Sequence, residues 1–211
     1  MRLLALIGCL FATTSGDLLD LDHASPGPGI PPGWQIRPVR GRTSPTVEIV
    51  ERGSERMMRL EGAGRAAWLH RDLRGSTAPG DSLRWSWRVL AAPDSADLRF
   101  AALDDSPIRL YVIFGNPRSL FGGSGRIIFY SVGNREPEGY LGPSHVSDRI
   151  HVIRVDGRGE RGLWREHAVD PRTDYRRIWG RSPPAITGIG LMQDTDQTGA
   201  LAIAEVRRIE W

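Results

Sequence analysis

Two acidic motifs carry the residue types in this sequence that are best suited to bind a ligand. In the first, Asp104 and Asp105 stand directly before a predicted strand, and Arg109 lies within that strand. Carboxylates accept hydrogen bonds from hydroxyl groups or hold a cation, and a guanidinium group donates two parallel hydrogen bonds to a pair of oxygens. The alternative interpretation is a turn in which one aspartate caps backbone amides before Pro107.

The second motif is Asp194-Thr195-Asp196-Gln197-Thr198-Gly199, which resembles part of a calcium-binding loop. The alternative is a hairpin turn that is stabilised by its Asp and Thr side chains. Because the start of one antiparallel strand lies beside the end of its neighbour, we expect the two motifs to share one rim of a sheet. Four carboxylates there repel one another, which predicts compensation by Arg109, another arginine, a bound cation or a raised pKa.

Aromatic residues are a third source of binding chemistry, since the flat ring of an exposed Trp or Tyr can stack on the apolar face of a sugar. Seven tryptophans stand at positions 34, 68, 85, 87, 164, 179 and 211. We expect Trp85 and Trp87 in the core, because they alternate with polar residues along a predicted strand. Tyr140 and Trp164, in predicted loops or at edges, are the candidate stacking platforms.

The composition excludes several other kinds of site. Cys9 is the single cysteine, so an internal disulfide and a cysteine-based metal site are excluded. The histidines lack zinc-site spacing, and no phosphate-binding loop or nucleophile motif is present. All 28 basic residues are arginines, and they are spread among 25 acidic residues to give a net charge of +3. Without a basic run or a recognition motif, we expect no nucleic-acid partner.

Hydrophobic periodicity predicts the elements that position these residues. Strands are predicted at 46–50, 57–61, 66–69, 83–90, 108–114, 127–132, 150–155, 163–168, 186–192 and 200–211. Leu83, Trp85 and Trp87, and likewise the alternate residues Ile108, Leu110, Val112 and Phe114, are predicted core positions. One short helix is predicted at Pro171–Trp179. Strands without long intervening helices indicate an all-β fold, a two-sheet antiparallel β-sandwich with one short helix.

The N-terminal segment is predicted to lie outside this domain. Residues 1–16 combine a basic start, an apolar run from Leu3 to Ala12 and small residues, which is typical of a secretory signal peptide and too short to cross a membrane. Residues 17–33 are predicted to be a Pro/Gly-rich lead-in, and residues 34–211 form the sandwich. We therefore expect a periplasmic or secreted protein without a transmembrane segment; lipidation at Cys9 is the alternative.

Four motifs lie between Trp34 and Trp211: Leu83-Arg-Trp-Ser-Trp-Arg, Asp104-Asp105 with Arg109-Leu-Tyr-Val, Asp174-Tyr175 with Trp179-Gly180, and Ile189-Gly-Leu-Met-Gln-Asp194-Thr-Asp196-Gln-Thr198-Gly199. Together they resemble the bacterial family known as domain of unknown function 3047. The resemblance implies an exported sandwich of the jelly-roll type, similar to carbohydrate-binding modules, and it assigns no activity.

These observations favour a non-catalytic binding domain for a glycan or another small or anionic envelope ligand. The predicted ligand-binding residues are the polar groups of the two motifs and one tyrosine beside them: Asp104, Asp105, Arg109, Tyr111, Asp194, Asp196 and Thr198. No catalytic residue and no cofactor are predicted, although Asp194 and Asp196 could hold calcium. Two alternatives remain open: an envelope structural or assembly protein whose polar motifs hold turns, and a carboxylate-based glycan hydrolase or lyase.

Overall fold

A computed structural model describes residues 16–74, 82–116, 125–157, 159 and 161–211 of the chain. Cys9 and nearly all of the predicted signal peptide lie outside these residues. The strands are β1 Gly27–Pro28, β2 Trp34–Pro38, β3 Thr46–Arg52, β4 Glu55–Ala63, β5 Ala66–Asp72, β6 Leu83–Ala91, β7 Ser106–Phe114, β8 Arg126–Val132, β9 Leu141–Ser144, β10 Ser147–Asp156, β11 Arg165–Val169, β12 Ile186–Asp194 and β13 Leu201–Glu210. One α-helix, α1, spans Pro171–Trp179, and short 3₁₀ turns lie at Leu21–His23 and Ala101–Leu103.

The strands form two sheets, and the predicted β-sandwich is confirmed. The six-stranded sheet has the order β1-β3-β4-β13-β6-β11, and the seven-stranded sheet has the order β2-β5-β12-β7-β8-β10-β9. The prediction of a wholly antiparallel sandwich is wrong at one place, because β8 and β10 pair in parallel. The chain passes from β8 to β9 at the sheet edge and then turns back, so β10 fills the place between them and runs in the direction of β8.

The helix has the predicted bounds because its ends are encoded locally. Asp170 accepts hydrogen bonds from the backbone amides of Arg172 and Thr173, and Pro171 occupies the first turn, where its missing N–H costs nothing. Gly180 ends the helix in the left-handed conformation, with φ of 63°. Tyr175 is buried and packs its ring 4.8 Å from that of Phe114, which docks the helix on the core.

The core between the sheets is built by the alternating residues of β6 and β7. All the predicted core residues of these strands are buried, and Trp85 and Trp87 are wholly inaccessible to solvent. The opposite face of β7 is buried as well, because Tyr111 and Ile113 belong to a second apolar cluster and the Arg109 guanidinium packs over Phe129 of that cluster. The seven-stranded sheet is therefore covered on both faces at its centre.

Part of the predicted lead-in belongs to the folded domain. Leu19 and Leu21 are buried in the main core, and the Leu18 amide donates to the Ile209 carbonyl at 2.7 Å. The indole N–H of Trp34 donates to the Leu18 carbonyl at 2.8 Å. The sandwich thus begins before Trp34, since the apolar residues at 18–21 pack against its core. The Pro/Gly-rich stretch that follows them conceals this in the sequence. No helix among the described residues is long and apolar enough to span a membrane.

Candidate functional site

The two acidic motifs meet at one rim of the seven-stranded sheet, as predicted. Strands β7 and β12 are antiparallel neighbours, and Ser106 pairs with Asp194. The Asp105 carboxylate accepts hydrogen bonds from the Gln197 amide at 3.2 Å, the Thr198 amide at 2.8 Å and the Thr198 hydroxyl at 2.5 Å. Asp105 therefore caps a turn, as the alternative interpretation held, but the turn is the one after β12.

Two arginines supply the compensating charges. Arg109 donates to the Asp104 carboxylate at 2.7 Å and to the Asp104 carbonyl at 2.8 Å. Asp196 pairs with Arg42 at 2.6 Å, so the predicted second arginine is present. Arg42 lies between β2 and β3, far from either motif in the chain, and no local signal in the sequence assigns it to them. We call Arg42, Asp104, Asp105, Arg109, Asp194 and Asp196 the rim cluster.

Asp194 is the least satisfied member of the rim cluster. Its Oδ2 lies 3.7 Å from Nη1 of Arg109, and its buried Oδ1 has no hydrogen-bond partner within the described part of the chain. Burial raises the pKa of Asp194 to about 7; the charge of Arg109 opposes this rise, and the nearby carboxylates of Asp196, Asp105 and Asp104 add to it.

The rim cluster contains a group of carboxylates that could hold a metal ion. One oxygen from each of Asp105, Asp194 and Asp196 lies within 4.8 Å of the other two. Gly199 and Glu205 are the sixth and twelfth residues counted from Asp194, the positions that a glycine and a bidentate glutamate occupy in an EF-hand loop. The structure excludes EF-hand geometry, because Glu205 lies within β13 and pairs with Arg52, Arg59 and Arg88.

Aromatic residues cover the neighbouring outer face of the seven-stranded sheet, the face that points away from the six-stranded sheet. The ring of Trp68 meets that of Tyr111 edge-on, with centroids 5.2 Å apart, and lies 5.4 Å from that of Phe129. Tyr140 packs on the same apolar cluster. We call Trp68, Tyr111, Phe129 and Tyr140 the aromatic patch. Trp68 and Tyr140 are partly exposed, whereas Tyr111 is 1% exposed and donates its hydroxyl to the Leu69 carbonyl.

Glycines beneath two of the rings let them lie close to the sheet. A Cβ at Gly190 would collide with the Tyr111 ring and the Leu69 carbonyl, and a Cβ at Gly142 would collide with the Tyr140 ring. Tyr111, which was predicted to contact ligand, is instead held inside the patch and supports Trp68. Sequence reasoning did not single out Trp68, because the short strand that carries it shows no clear alternation.

The rim cluster and the aromatic patch are contiguous. The Arg109 guanidinium carbon lies 5.5 Å from the centroid of the Phe129 ring. Burial and, after it, the negative charge of Asp104 raise the pKa of Tyr140. The result is one continuous cluster, in which the buried Arg109 joins the aromatic rings to the carboxylates.

Trp164, the other predicted platform, lies elsewhere. It precedes β11 of the six-stranded sheet, and the guanidinium carbons of Arg88 and Arg207 lie 4.7 and 4.5 Å from its ring centroid. Two cations therefore already stack on this ring, which leaves less of it available to a sugar.

Comparison with known protein families agrees with these motifs. The model of a family described as "Protein of unknown function (DUF3047)" matches residues 32–210. The chain belongs to the DUF3047 family. The resemblance inferred from the acidic and aromatic motifs is thus confirmed, and none of the curated proteins matches this DUF3047 chain.

The fold of this DUF3047 protein is similar to that of carbohydrate-binding modules. A structure from work on the promiscuous specificity of carbohydrate-binding modules of the β-sandwich superfamily is 15% identical and aligns with a TM-score of 0.50, covering 95% of this chain and 63% of that one. This chain thus spans less than two thirds of that structure's length. The family 11 module of a Clostridium thermocellum cellulase is 13% identical, with a TM-score of 0.48 and coverage of 94% and 95%. A family 11 xylanase from Neocallimastix patriciarum is 10% identical, with a TM-score of 0.43 and coverage of 89% and 95%.

Proposed function

We propose that this DUF3047 protein is a non-catalytic glycan-binding domain whose ligand lies where the aromatic patch meets the rim cluster. The contact of Arg109 with Phe129 carries the proposal, because it joins the rim cluster to the rings that support the partly exposed Trp68. Sugar recognition needs both: an aromatic ring stacks on the apolar C–H face, and charged groups form strong hydrogen bonds with the hydroxyls. The similar carbohydrate-binding structure supplies a precedent for the fold only.

Trp68 and Tyr140 are the rings that meet the sugar. Both are partly exposed, whereas Tyr111 and Phe129 are buried and hold the Trp68 ring in place from beneath. A ring that is already fixed loses little conformational entropy when a ligand stacks on it.

Strand β2 adds polar groups along the opposite edge of the patch. Arg37 and Gln35 are exposed, and Arg37 pairs in register with Trp68. The Arg37 guanidinium lies 3.5 Å from the Gln35 side-chain oxygen, which brings an amide and a guanidinium group together beside the ring. A sugar stacked on Trp68 would therefore find hydrogen-bonding groups on two sides.

Affinity electrophoresis through gels that contain xylan, mixed-linked β-glucan or bacterial peptidoglycan tests this proposal. We expect retardation by at least one of these glycans, and a loss of at least tenfold in affinity for Trp68→Ala and Tyr140→Ala, since each stacked ring contributes on the order of 1.4 kcal/mol. Trp164→Ala is the matched control and should bind like the wild type. Loss of binding in Trp164→Ala alone would move the site to the other sheet, and no retardation by any glycan would favour the structural or assembly role.

We also propose that the protein works outside the cytoplasm, in the periplasm or secreted. The support is the basic start, apolar run and small residues of positions 1–16. Mass spectrometry of the mature protein from a periplasmic fraction should find a new N-terminus between about Ala12 and Gly16. A lipidated Cys9 in the membrane fraction would establish the lipoprotein alternative, and an intact Met1 in the cytosol would contradict export.

A carboxylate-based hydrolase is the second candidate, and the Asp194 carboxyl favours it. A carboxyl group with its pKa raised to about 7 can act as a general acid near neutral pH. A hydrolase also needs a second free carboxylate, and both Asp105 and Asp196 are already engaged by protein donors. Release of reducing ends from any of the glycans by the wild type, abolished in Asp194→Asn, would establish hydrolysis and overturn the non-catalytic proposal.

A further inference from the structure

We propose that Asp105, Asp194 and Asp196 bind a calcium ion, which fixes the turn after β12 to the start of β7. The site joins two segments that are far apart in the chain, and the pairing of β7 with β12 and the hydrogen bonds of Asp105 bring them together. It does not depend on the glycan proposal, because the ion would serve the architecture of the rim whether or not a sugar binds beside it.

The geometry of the three carboxylates suits one ion. A ligand oxygen from each lies within 4.8 Å of the other two, and about 4.8 Å is the largest separation that two oxygens can have when both bind one calcium ion at about 2.4 Å. The chemistry of the group is all oxygen, with no imidazole or thiolate among its members. Hard cations prefer such ligands, and calcium tolerates the irregular arrangement that a turn and two strand ends provide.

Two buried carboxylate oxygens at this place have no hydrogen-bond partner among the residues that the structure describes. Asp194 is 9% exposed and its Oδ1 accepts no hydrogen bond, and the same holds for Oδ1 of Asp196, whose side chain is 8% exposed. A buried carboxylate oxygen without a donor is costly, and native proteins nearly always satisfy such atoms with protein, water or an ion. This observation is separate from the clustering, since carboxylates that merely cap turns have their oxygens hydrogen-bonded, as Asp105 does.

The charges around the group are unbalanced in the direction that attracts a cation. Within the described part of the chain, the four carboxylates of the rim cluster form ion pairs with the guanidinium groups of Arg42 and Arg109 alone. Arg109 directs its hydrogen bonds to Asp104, which is outside the three-carboxylate group, and reaches Asp194 only at 3.7 Å. A divalent ion would supply the two positive charges that the cluster lacks.

The test uses calorimetric titration and thermal unfolding of the whole protein after chelator treatment, with calcium chloride as the probe. We expect one calcium per chain, a rise in Tm with calcium concentration, and at least about tenfold weaker binding for Asp194→Asn and Asp196→Asn. Asp194→Asn removes an unsatisfied charge without changing shape, so it should fold and should unfold at the wild-type temperature or higher when calcium is absent.

Asp72→Asn is the matched control, because Asp72 lies at the far end of β5, pairs with Arg74 and is remote from the rim. Its calcium affinity should equal that of the wild type. The proposal fails if the wild type shows no binding heat and no shift in Tm up to millimolar calcium. It also fails if Asp194→Asn and Asp196→Asn both bind calcium as tightly as the wild type.

Discussion

The Arg109 guanidinium group and the Asp194 carboxylate face each other from neighbouring strands, with Nη1 and Oδ2 3.7 Å apart. This distance is too long for a hydrogen bond, so Arg109 offsets the charge of Asp194 without satisfying its oxygens. The same arginine donates to Asp104 and stacks over Phe129, and its side chain is 4% exposed. Arg109 is therefore the cation on which both the rim cluster and the aromatic patch depend.

Replacing Arg109 by methionine should destabilise the protein by about 3–5 kcal/mol, because it leaves buried carboxylates without their main compensating charge. Urea denaturation of the chelator-treated protein measures the loss. Adding Asp194→Asn to Arg109→Met should recover part of it, since one of the repelling charges is then removed.

The control for this prediction is Arg161→Met. Arg161 also forms a close ion pair, with Asp94, but both side chains are well exposed, and such pairs contribute little. Equal losses of unfolding free energy for Arg109→Met and Arg161→Met would show that burial of the rim cluster does not strengthen its ion pairs. An additive double variant would show that Arg109 and Asp194 are not coupled.

Trp87→Ala should cost about 3–5 kcal/mol, the usual range for removal of a buried aromatic ring. The ring of Trp87 is wholly buried against Trp85, and its indole N–H donates to the Asp156 carboxylate at 3.1 Å. Chemical denaturation provides the measurement, and Trp164→Ala, on the outer surface of the same sheet, should cost much less. A loss below about 1 kcal/mol for Trp87→Ala would contradict its place in the core.

The inner core and the meeting of the acidic motifs follow from local patterns. Period-two alternation in β6 identifies Trp85 and Trp87 as inward residues, and antiparallel pairing brings Asp105 beside Thr198 without any knowledge of the loops. The helix bounds follow from Asp170 and Gly180, since capping is decided within a few residues.

The covered outer face and its arginine do not follow from local patterns. The alternation within β7 places Arg109 and Tyr111 opposite the core residues, but it does not show that aromatic rings on neighbouring strands bury them. Arg42 reaches Asp196 from a loop far along the chain. Strands β1, β2 and β9 are short and contain proline, which edge strands tolerate, so no alternating pattern predicts them.

Gly190→Ala should destabilise the protein by about 1–3 kcal/mol or more, because the added methyl group would collide with the Leu69 carbonyl and with the ring of Tyr111. Gly188→Ala, on the same strand, is the comparison variant and should destabilise the protein less. Its Cβ would meet His70 Cε1 at 2.6 Å, a side-chain atom that can move, and the nearest backbone atom, the Arg71 oxygen, at 3.4 Å. In thermal unfolding, Gly190→Ala should therefore have a lower Tm than Gly188→Ala. The reverse order would contradict the close packing of the Tyr111 ring on Gly190.

Asp170, which caps helix α1, and Asp174, which lies within it, should give opposite pH dependences of stability. Asp174 is half-buried and accepts the Tyr130 hydroxyl at 2.9 Å. Burial raises the pKa of Asp174, and the hydrogen bond from Tyr130 offsets this only in part. Burial also raises the pKa of Asp170, but hydrogen bonds from the Thr173 hydroxyl and from backbone amides outweigh it and leave that pKa lowered.

An acid whose pKa is raised by folding binds a proton more tightly in the folded state. The contribution of Asp174 to the wild-type free energy of unfolding therefore falls as pH rises from the unfolded pKa of about 3.9 through the folded pKa. At higher pH this contribution no longer changes. Asn at position 174 still accepts the Tyr130 hydroxyl but carries no charge. Relative to the wild type, Asp174→Asn should become more stable as pH rises through that window, whereas Asp170→Asn should become less stable as pH rises toward and just above about 3.9. Urea denaturation from about pH 3 to about pH 7 compares the three proteins, and parallel curves for all of them would show that neither carboxyl changes its pKa on folding.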